Sequence, residues 1–129
     1  MSELSRILYV EDDPDIQSVA QLALEAIGGF TVYLSASGAD GLATAAREHP
    51  DLILLDVMMP GMDGPTTLAA LRADPALAGI PVVFVTAKVQ PTEVSHLTSL
   101  GALGVVAKPF DPMTLASTVT ELWAGRPQG

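Results

Sequence analysis

The sequence predicts an α/β protein: a single doubly wound (βα)5 domain on a five-stranded parallel sheet. Three observations carry that expectation. Short apolar runs alternate with stretches of helical periodicity from one end of the chain to the other. Several of those runs are continuously apolar, as suits strands covered on both faces by crossover helices. The chain has 129 residues, 49% of them hydrophobic, which is material for one core and tight for two.

Each element has its own signal. Ile7-Leu8-Tyr9-Val10 reads as a buried first strand. Asp13-Pro14 then starts a helix, with a carboxylate to cap and a proline suited to the first helical position. Ile16, Val19, Ala20, Ala23 and Ile27 follow at helical spacing, and Gly28-Gly29 supplies a stop. Phe30 to Leu34 is the second strand, and Ser37 caps an alanine-rich helix that carries Leu42 and ends at His49-Pro50. Leu52 to Leu55 forms the third strand and runs into Asp56. A loop with Pro60, Gly61 and Gly64 leads to a helix with Leu68 and Leu71. Val82 to Val85 is the fourth strand and finishes at Thr86. Pro91 opens a helix with Val94, Leu97 and Leu100 that Gly101 closes. Val105 and Val106 sit in a short fifth strand ahead of Lys108-Pro109. Asp111-Pro112 repeats the cap-and-proline start, and Leu115, Val119, Leu122 and Trp123 give the last helix its apolar face. Residues 4–124 are expected to form the domain and 125–129 a flexible tail.

Composition removes several function classes. Six basic residues against fifteen acidic ones give a net charge of −9, which disfavours nucleic acid and anionic membrane as partners. Aromatics at 5% leave little for base stacking, and the absence of cysteine excludes disulfides, thiolate metal sites and cysteine nucleophiles. Met1 to Arg6 holds no secretory segment, and runs such as Leu52–Leu55 and Val82–Val85 are too short to cross a bilayer. A soluble, cytoplasmic protein is expected.

In sheets of this kind, sites form at the carboxyl ends of the strands. Strand one ends in Glu11-Asp12-Asp13, strand three in Asp56, strand four in Thr86-Ala87-Lys88 and strand five in Lys108. Carboxylates gathered that closely repel one another and need a cation; hard oxygen ligands favour Mg²⁺. Taken singly, each residue has a plainer explanation. Asp13 is a helix cap, Asp15 an acid suited to the first helical turn, Asp56 a solvated turn residue and Lys108 a surface lysine. Against those explanations stands the coincidence of four strand ends carrying complementary groups, and both lysines of the chain, Lys88 and Lys108, fall at that edge.

Other candidates lead elsewhere. His49 and His96 have no metal-ligand partner nearby in sequence and read as surface residues. Met58, Met59 and Met62 share one loop and read as loop packing, and Phe110 as a cover for the core. No glycine-rich phosphate loop follows strand one, and its acids would repel a nucleotide's phosphates.

The segments Ile7 to Ile16, Asp51 to Gly64, Val85-Thr86-Ala87 and Lys108-Pro109-Phe110 together resemble the four signatures of bacterial response-regulator receiver domains, of the stand-alone, chemotaxis-regulator type. They occur in family order and cover nearly the whole chain. The resemblance implies a flavodoxin-like strand order, 2-1-3-4-5. It implies that Asp56 accepts a phosphoryl group from a phosphohistidine of a sensor histidine kinase or a histidine phosphotransfer protein. Glu11 and Asp12 would hold Mg²⁺, Asp12 directly and Glu11 through water, with further oxygens from Asp56 and the backbone carbonyl of Met58. Thr86 and Lys108 would bind phosphoryl oxygens, small Ala87 would leave room for the phosphoryl group, and the Lys108-Pro109 bond would be cis. Such a protein is a phosphoacceptor that assists its own phosphorylation and dephosphorylation rather than an enzyme. Its output would be contact with a downstream protein, as a monomer or weak homodimer.

One position departs from the family pattern. Val105 stands where a switch aromatic is usual, and a valine cannot swing between buried and exposed with the same effect on surface. Two competing readings are a pseudo-receiver that binds partners without phosphorylation and a Mg²⁺-dependent phosphohydrolase with an aspartyl nucleophile. The hydrolase generally needs a second acid soon after the nucleophile, and Val57 and Met58 stand there instead.

Overall fold

The computed structural model describes residues 3–127. Strands β1 (Arg6–Val10), β2 (Thr31–Ser35), β3 (Leu52–Asp56), β4 (Val82–Thr86) and β5 (Gly104–Ala107) form one parallel sheet in the order β2-β1-β3-β4-β5. Between and after them run α1 (Pro14–Leu22), α2 (Gly38–Glu48), α3 (Gly64–Ala73), α4 (Pro91–Ser99) and α5 (Leu115–Ala124). The expected fold and strand order are both present.

Strand periodicity divides the core into two layers. Ile7, Tyr9, Leu52, Leu54, Val83, Val85 and Val106 pack with Ala20 and Leu24 on one side and with Leu115, Val119 and Trp123. Leu8, Val10, Ile53, Leu55, Val82 and Phe84 pack with Ala45, Leu68, Leu71 and Leu97 on the other. Every residue of β3 and β4 is buried, which explains why those strands read as continuous apolar runs.

Capping residues set the helix starts. Asp13 accepts from the Asp15 and Ile16 amides at 2.8 and 3.4 Å, Ser37 from the Asp40 amide at 3.1 Å, and Asp63 from the Thr66 amide at 2.9 Å.

Two local expectations are corrected. The first helix ends at Leu22 and continues as a π-helical turn, Ala23–Ile27, in which the Gly28 amide donates to the Ala23 carbonyl five residues back. The stripe that this helix buries is Ala20, Ala23 and Leu24, leaving Val19 and Ile27 about half exposed. At the other end, α5 begins at Leu115 instead of directly after Asp111-Pro112. Asp111 caps a tight turn there: its side chain accepts from the Met113 amide, and its carbonyl from the Thr114 and Leu115 amides. Within the expected tail of residues 125–129, the Arg126 guanidinium lies 3.3 Å from the Trp123 ring centroid and donates to the Trp123 carbonyl at 2.8 Å. Residues 128 and 129 lie outside the described residues.

Candidate functional site

The parallel register brings four strand ends to one edge of the sheet. Val10 is level with Leu55, Asp56 with Val85, and Thr86 with Ala107. Each chain therefore leaves the sheet at nearly the same height, and Glu11, Asp56, Thr86 and Lys108 meet there. Tyr9 and Glu11, two residues apart, project to the same side.

Glu11 and Asp56 are buried, while Asp12 is exposed at the mouth. One carboxylate oxygen from each of the three lies within 4.8 Å of the others, so the group could hold a metal ion. Lys108 offsets part of this negative charge, its Nζ 2.6 Å from Glu11 Oε1 and 3.0 Å from Asp56 Oδ1. Burial alone would lower the lysine's pKa, but the two carboxylates outweigh it and hold the pKa above the ordinary value.

Glu11 is fixed from several directions. Its Oε2 accepts from the Asp13 amide at 3.2 Å, its Oε1 from the Tyr9 hydroxyl at 3.1 Å, and its backbone carbonyl from the Gln17 side chain at 2.6 Å. Burial and the negative charge of Glu11 raise the Tyr9 pKa, so the phenol keeps its proton and serves as a donor. Thr86 is buried, and its Oγ1 accepts from the Lys88 amide at 3.1 Å, leaving the hydroxyl proton free to be donated. Ala87 and the side chain of Met58 are exposed beside the pocket. The Lys108-Pro109 bond is cis, as expected. Val105 is half-buried against the second core layer.

Of the groups set aside in the sequence, the histidines, Met59, Met62 and Phe110 are where they were expected, and Met58 is not. His49 and His96 are exposed, with His49 ending α2 in the left-handed region at φ 47°. Met59 is buried and Met62 half-buried, whereas Met58 is 66% exposed and takes no part in packing the loop. Phe110 packs against the first core layer. Tyr9 and Gln17 are the contributors that sequence reasoning passed over. A phenol in an otherwise aliphatic strand, two residues before a buried acid, was the available signal.

A doubly wound sheet with paired acids, a third carboxylate, a hydroxyl and an ammonium at its carboxyl edge defines a class of signalling module rather than a nucleotide-binding enzyme. The chain matches the family described as "Response regulator receiver domain" over residues 7–120. It is 36% identical to the protein PilH of Pseudomonas aeruginosa over 122 residues, covering 95% of this chain and 100% of PilH. It is 38% identical to the DNA-binding response regulator MtrA of Mycolicibacterium smegmatis over 114 residues, covering 88% of this chain but only 48% of MtrA. The structure of the chemotaxis response regulator CheY4 of Vibrio cholerae superposes with a TM-score of 0.85 at 29% identity, covering 92% of this chain and 98% of that one. The chain belongs to the response regulator receiver domain family, whose members are signalling proteins in phosphorelays.

Proposed function

We propose that this chain is a phosphorylation-controlled switch in which Asp56 accepts a phosphoryl group from a phosphohistidine of a histidine kinase or phosphotransfer protein. The observation that carries the reading is the buried Asp56 carboxylate, grouped with Glu11 and Asp12 and held 3.0 Å from the Lys108 ammonium. In the transfer, a P–N bond to the donor imidazole breaks and a P–O bond to an Asp56 carboxylate oxygen forms. The imidazole then takes a proton from solvent.

Such a transfer needs alignment and neutralisation of charge on the equatorial oxygens more than covalent assistance. Lys108 offers one cation, and the Thr86 hydroxyl one hydrogen-bond donor. The donor set of three carboxylates, hard and anionic, fits Mg²⁺, with Asp12, Asp56 and the Met58 carbonyl as direct ligands and Glu11 acting through water. When bound, the metal supplies charge neutralisation at the transferring phosphoryl group. Exposed Ala87 leaves the entry to Asp56 unobstructed by a bulky side chain.

An apolar groove of about 430 Å³, lined by Ile16, Val19, Ala87, Pro109 and Phe110, opens beside Lys108. It supports docking of the phosphodonor protein next to Asp56. The aspartyl phosphate, a new dianion, would draw Thr86 and Lys108 toward it and bias the surface of α4, β5 and α5 that a downstream protein reads. With Val105 at the usual aromatic position, that bias runs through packing around β5 rather than through the swing of a ring. No described helix is long and apolar enough to cross a membrane.

Intact-mass measurement after incubation with Mg²⁺ and phosphoramidate tests the proposal. A single phosphoryl adduct on the wild type, absent from Asp56→Asn, is expected. No adduct on the wild type would point instead to a pseudo-receiver, and rapid turnover of unrelated phosphate esters to a hydrolase.

A further inference from the structure

We propose that Tyr9 is a positioning residue for the acidic pocket: its buried hydroxyl holds the Glu11 carboxylate in place when Lys108 turns from that carboxylate to a phosphoryl group. The inference rests on the phosphoacceptor reading of Asp56.

Tyr9 lies in the middle of the sheet, paired with Leu34 of β2 and Leu54 of β3, and is fully buried. Its ring packs in the first core layer, a task that phenylalanine or leucine would serve as well. A hydroxyl there costs free energy unless it is paired, and its hydrogen bond goes to Glu11 Oε1 at 3.1 Å. The same oxygen takes the Lys108 ammonium at 2.6 Å. Tyr9 and Lys108 thus share one acceptor atom, and only one of the two can move. The phenol is fixed by the core on every side, whereas Lys108 is a flexible chain whose other contact is Asp56, 3.0 Å away.

A phosphoryl group on Asp56 converts that contact from a carboxylate oxygen to phosphoryl oxygens and draws the ammonium with it. Glu11 then loses its cation while remaining buried. The Tyr9 hydroxyl on Oε1 and the Asp13 amide on Oε2 are the donors that stay. Without the phenol, Glu11 would hold Lys108 more tightly and would itself be less fixed in orientation. Both effects oppose metal binding and phosphoryl capture.

Tyr9→Phe keeps the ring and removes the donor. Calorimetric titration with MgCl₂ is expected to show affinity about tenfold weaker than wild type, the scale typical of groups that orient metal ligands. The rate of adduct formation with phosphoramidate should fall in parallel. In the wild type, Mg²⁺ should also shift the near-ultraviolet absorption of a tyrosine, a signal retained in Tyr33→Phe and lost in Tyr9→Phe. This spectroscopic readout needs no phosphorylation, and in the wild type it needs no variant.

Unchanged Mg²⁺ affinity and adduct rate in a folded Tyr9→Phe protein would overturn the inference, whatever happens to its melting temperature. Should Tyr9→Phe fail to fold, the absence of a Mg²⁺-dependent tyrosine signal in the wild type would overturn it equally. A wild type that takes no phosphoryl group at all removes the phosphoacceptor reading and this inference with it. A phosphorylated wild type beside an unaffected Tyr9→Phe removes this inference alone.

Discussion

The Lys108 ammonium lies 3.0 Å from the Asp56 carboxylate, and the same nitrogen reaches Glu11 at 2.6 Å. One flexible cation thus pairs with two buried acids that stand at the carboxyl ends of different strands. Its pKa stands above the ordinary lysine value although burial alone would lower it, so the carboxylates win that contest. The arrangement leaves the pocket with an excess of negative charge that a metal ion can offset, and with one cation that can be redirected.

Removing that cation should be costly. Lys108→Met leaves Glu11 and Asp56 buried without their common partner, and breaking a buried pair typically costs about 3 kcal/mol. Urea unfolding in EDTA should show a loss of that order, while excess MgCl₂ should recover part of it by supplying positive charge to the same acids. An unchanged midpoint in EDTA would mean that water reaches the pocket well enough to make the pair dispensable.

Metal binding should itself stabilise the fold, because the three carboxylates converge only in the folded chain. A ligand at a hundredfold excess over its dissociation constant adds roughly 2.7 kcal/mol. Thermal unfolding is expected to shift upward with MgCl₂, to return with EDTA, and not to follow NaCl at matched ionic strength. Asp12 is the ligand to remove, since it is exposed and its side chain makes no hydrogen bond or ion pair with another described residue. Asp12→Asn should blunt the shift and, by removing one of three mutually repelling carboxylates, raise the unfolding temperature in EDTA. An undiminished shift in that variant would remove Asp12 from the metal site.

Much of this pocket could be read before the fold was seen, because parallel strands have a polarity. Once Glu11, Asp56, Thr86 and Lys108 are each assigned to the end of a strand, the sheet has no choice but to collect them. What the sequence did not reveal depends on side-chain direction and on packing phase. Tyr9 looked like one more apolar strand residue, and only its distance to Glu11 shows its hydroxyl engaged. Val19 and Ile27 fitted a regular helical stripe, but the π-helical turn from Ala23 to Ile27 adds a residue to the turn and changes which positions face the sheet. Asp111-Pro112 has the signature of a helix start, yet it caps a turn that precedes α5. A capping signature identifies where amides need an acceptor, and a tight turn presents the same need as a helix.

The start of α3 offers a pH-dependent test away from the metal ligands. The Asp63 carboxylate accepts from the Thr66 amide at 2.9 Å, and its pKa is lowered chiefly by the bonds to Thr66. A group with a depressed folded pKa contributes stability above its unfolded value, near 3.9, and loses it as pH falls through the folded value. Asp63→Ala should therefore cost about 1 kcal/mol at pH 7 and progressively less in acid. Asp63→Asn keeps an uncharged acceptor, so it should retain much of the cap at neutral pH without the acid-dependent loss. Urea midpoints at pH 7 and pH 3 check the pattern. A penalty for Asp63→Ala that is the same at both values would show that the carboxylate charge adds nothing to the cap.

Gly64, at the first position of α3, lies where the chain returns onto the strand end that carries Asp56. Its amide donates to the Val57 carbonyl at 2.9 Å. A methyl group on Gly64 would sit 2.9 Å from the Val57 Cα and 3.1 Å from the Phe84 ring, and closer still to the Asp56 carbonyl oxygen. Two of those neighbours are backbone, which cannot rotate away as a side-chain tip can, so the loop itself would have to shift. Gly64→Ala should therefore destabilise by about 1–3 kcal/mol, the usual scale of overpacking. It should also slow adduct formation by displacing the backbone that aims Asp56. Gly79→Ala is the control, because a methyl group there meets nothing within 4 Å. Urea unfolding and intact-mass time courses on both variants decide the matter. If Gly64→Ala lost stability but acquired its phosphoryl adduct at the wild-type rate, the close approach would serve the packing of α3 alone. Equal losses of both would tie the geometry of Asp56 to the one residue that lets the helix begin so near it.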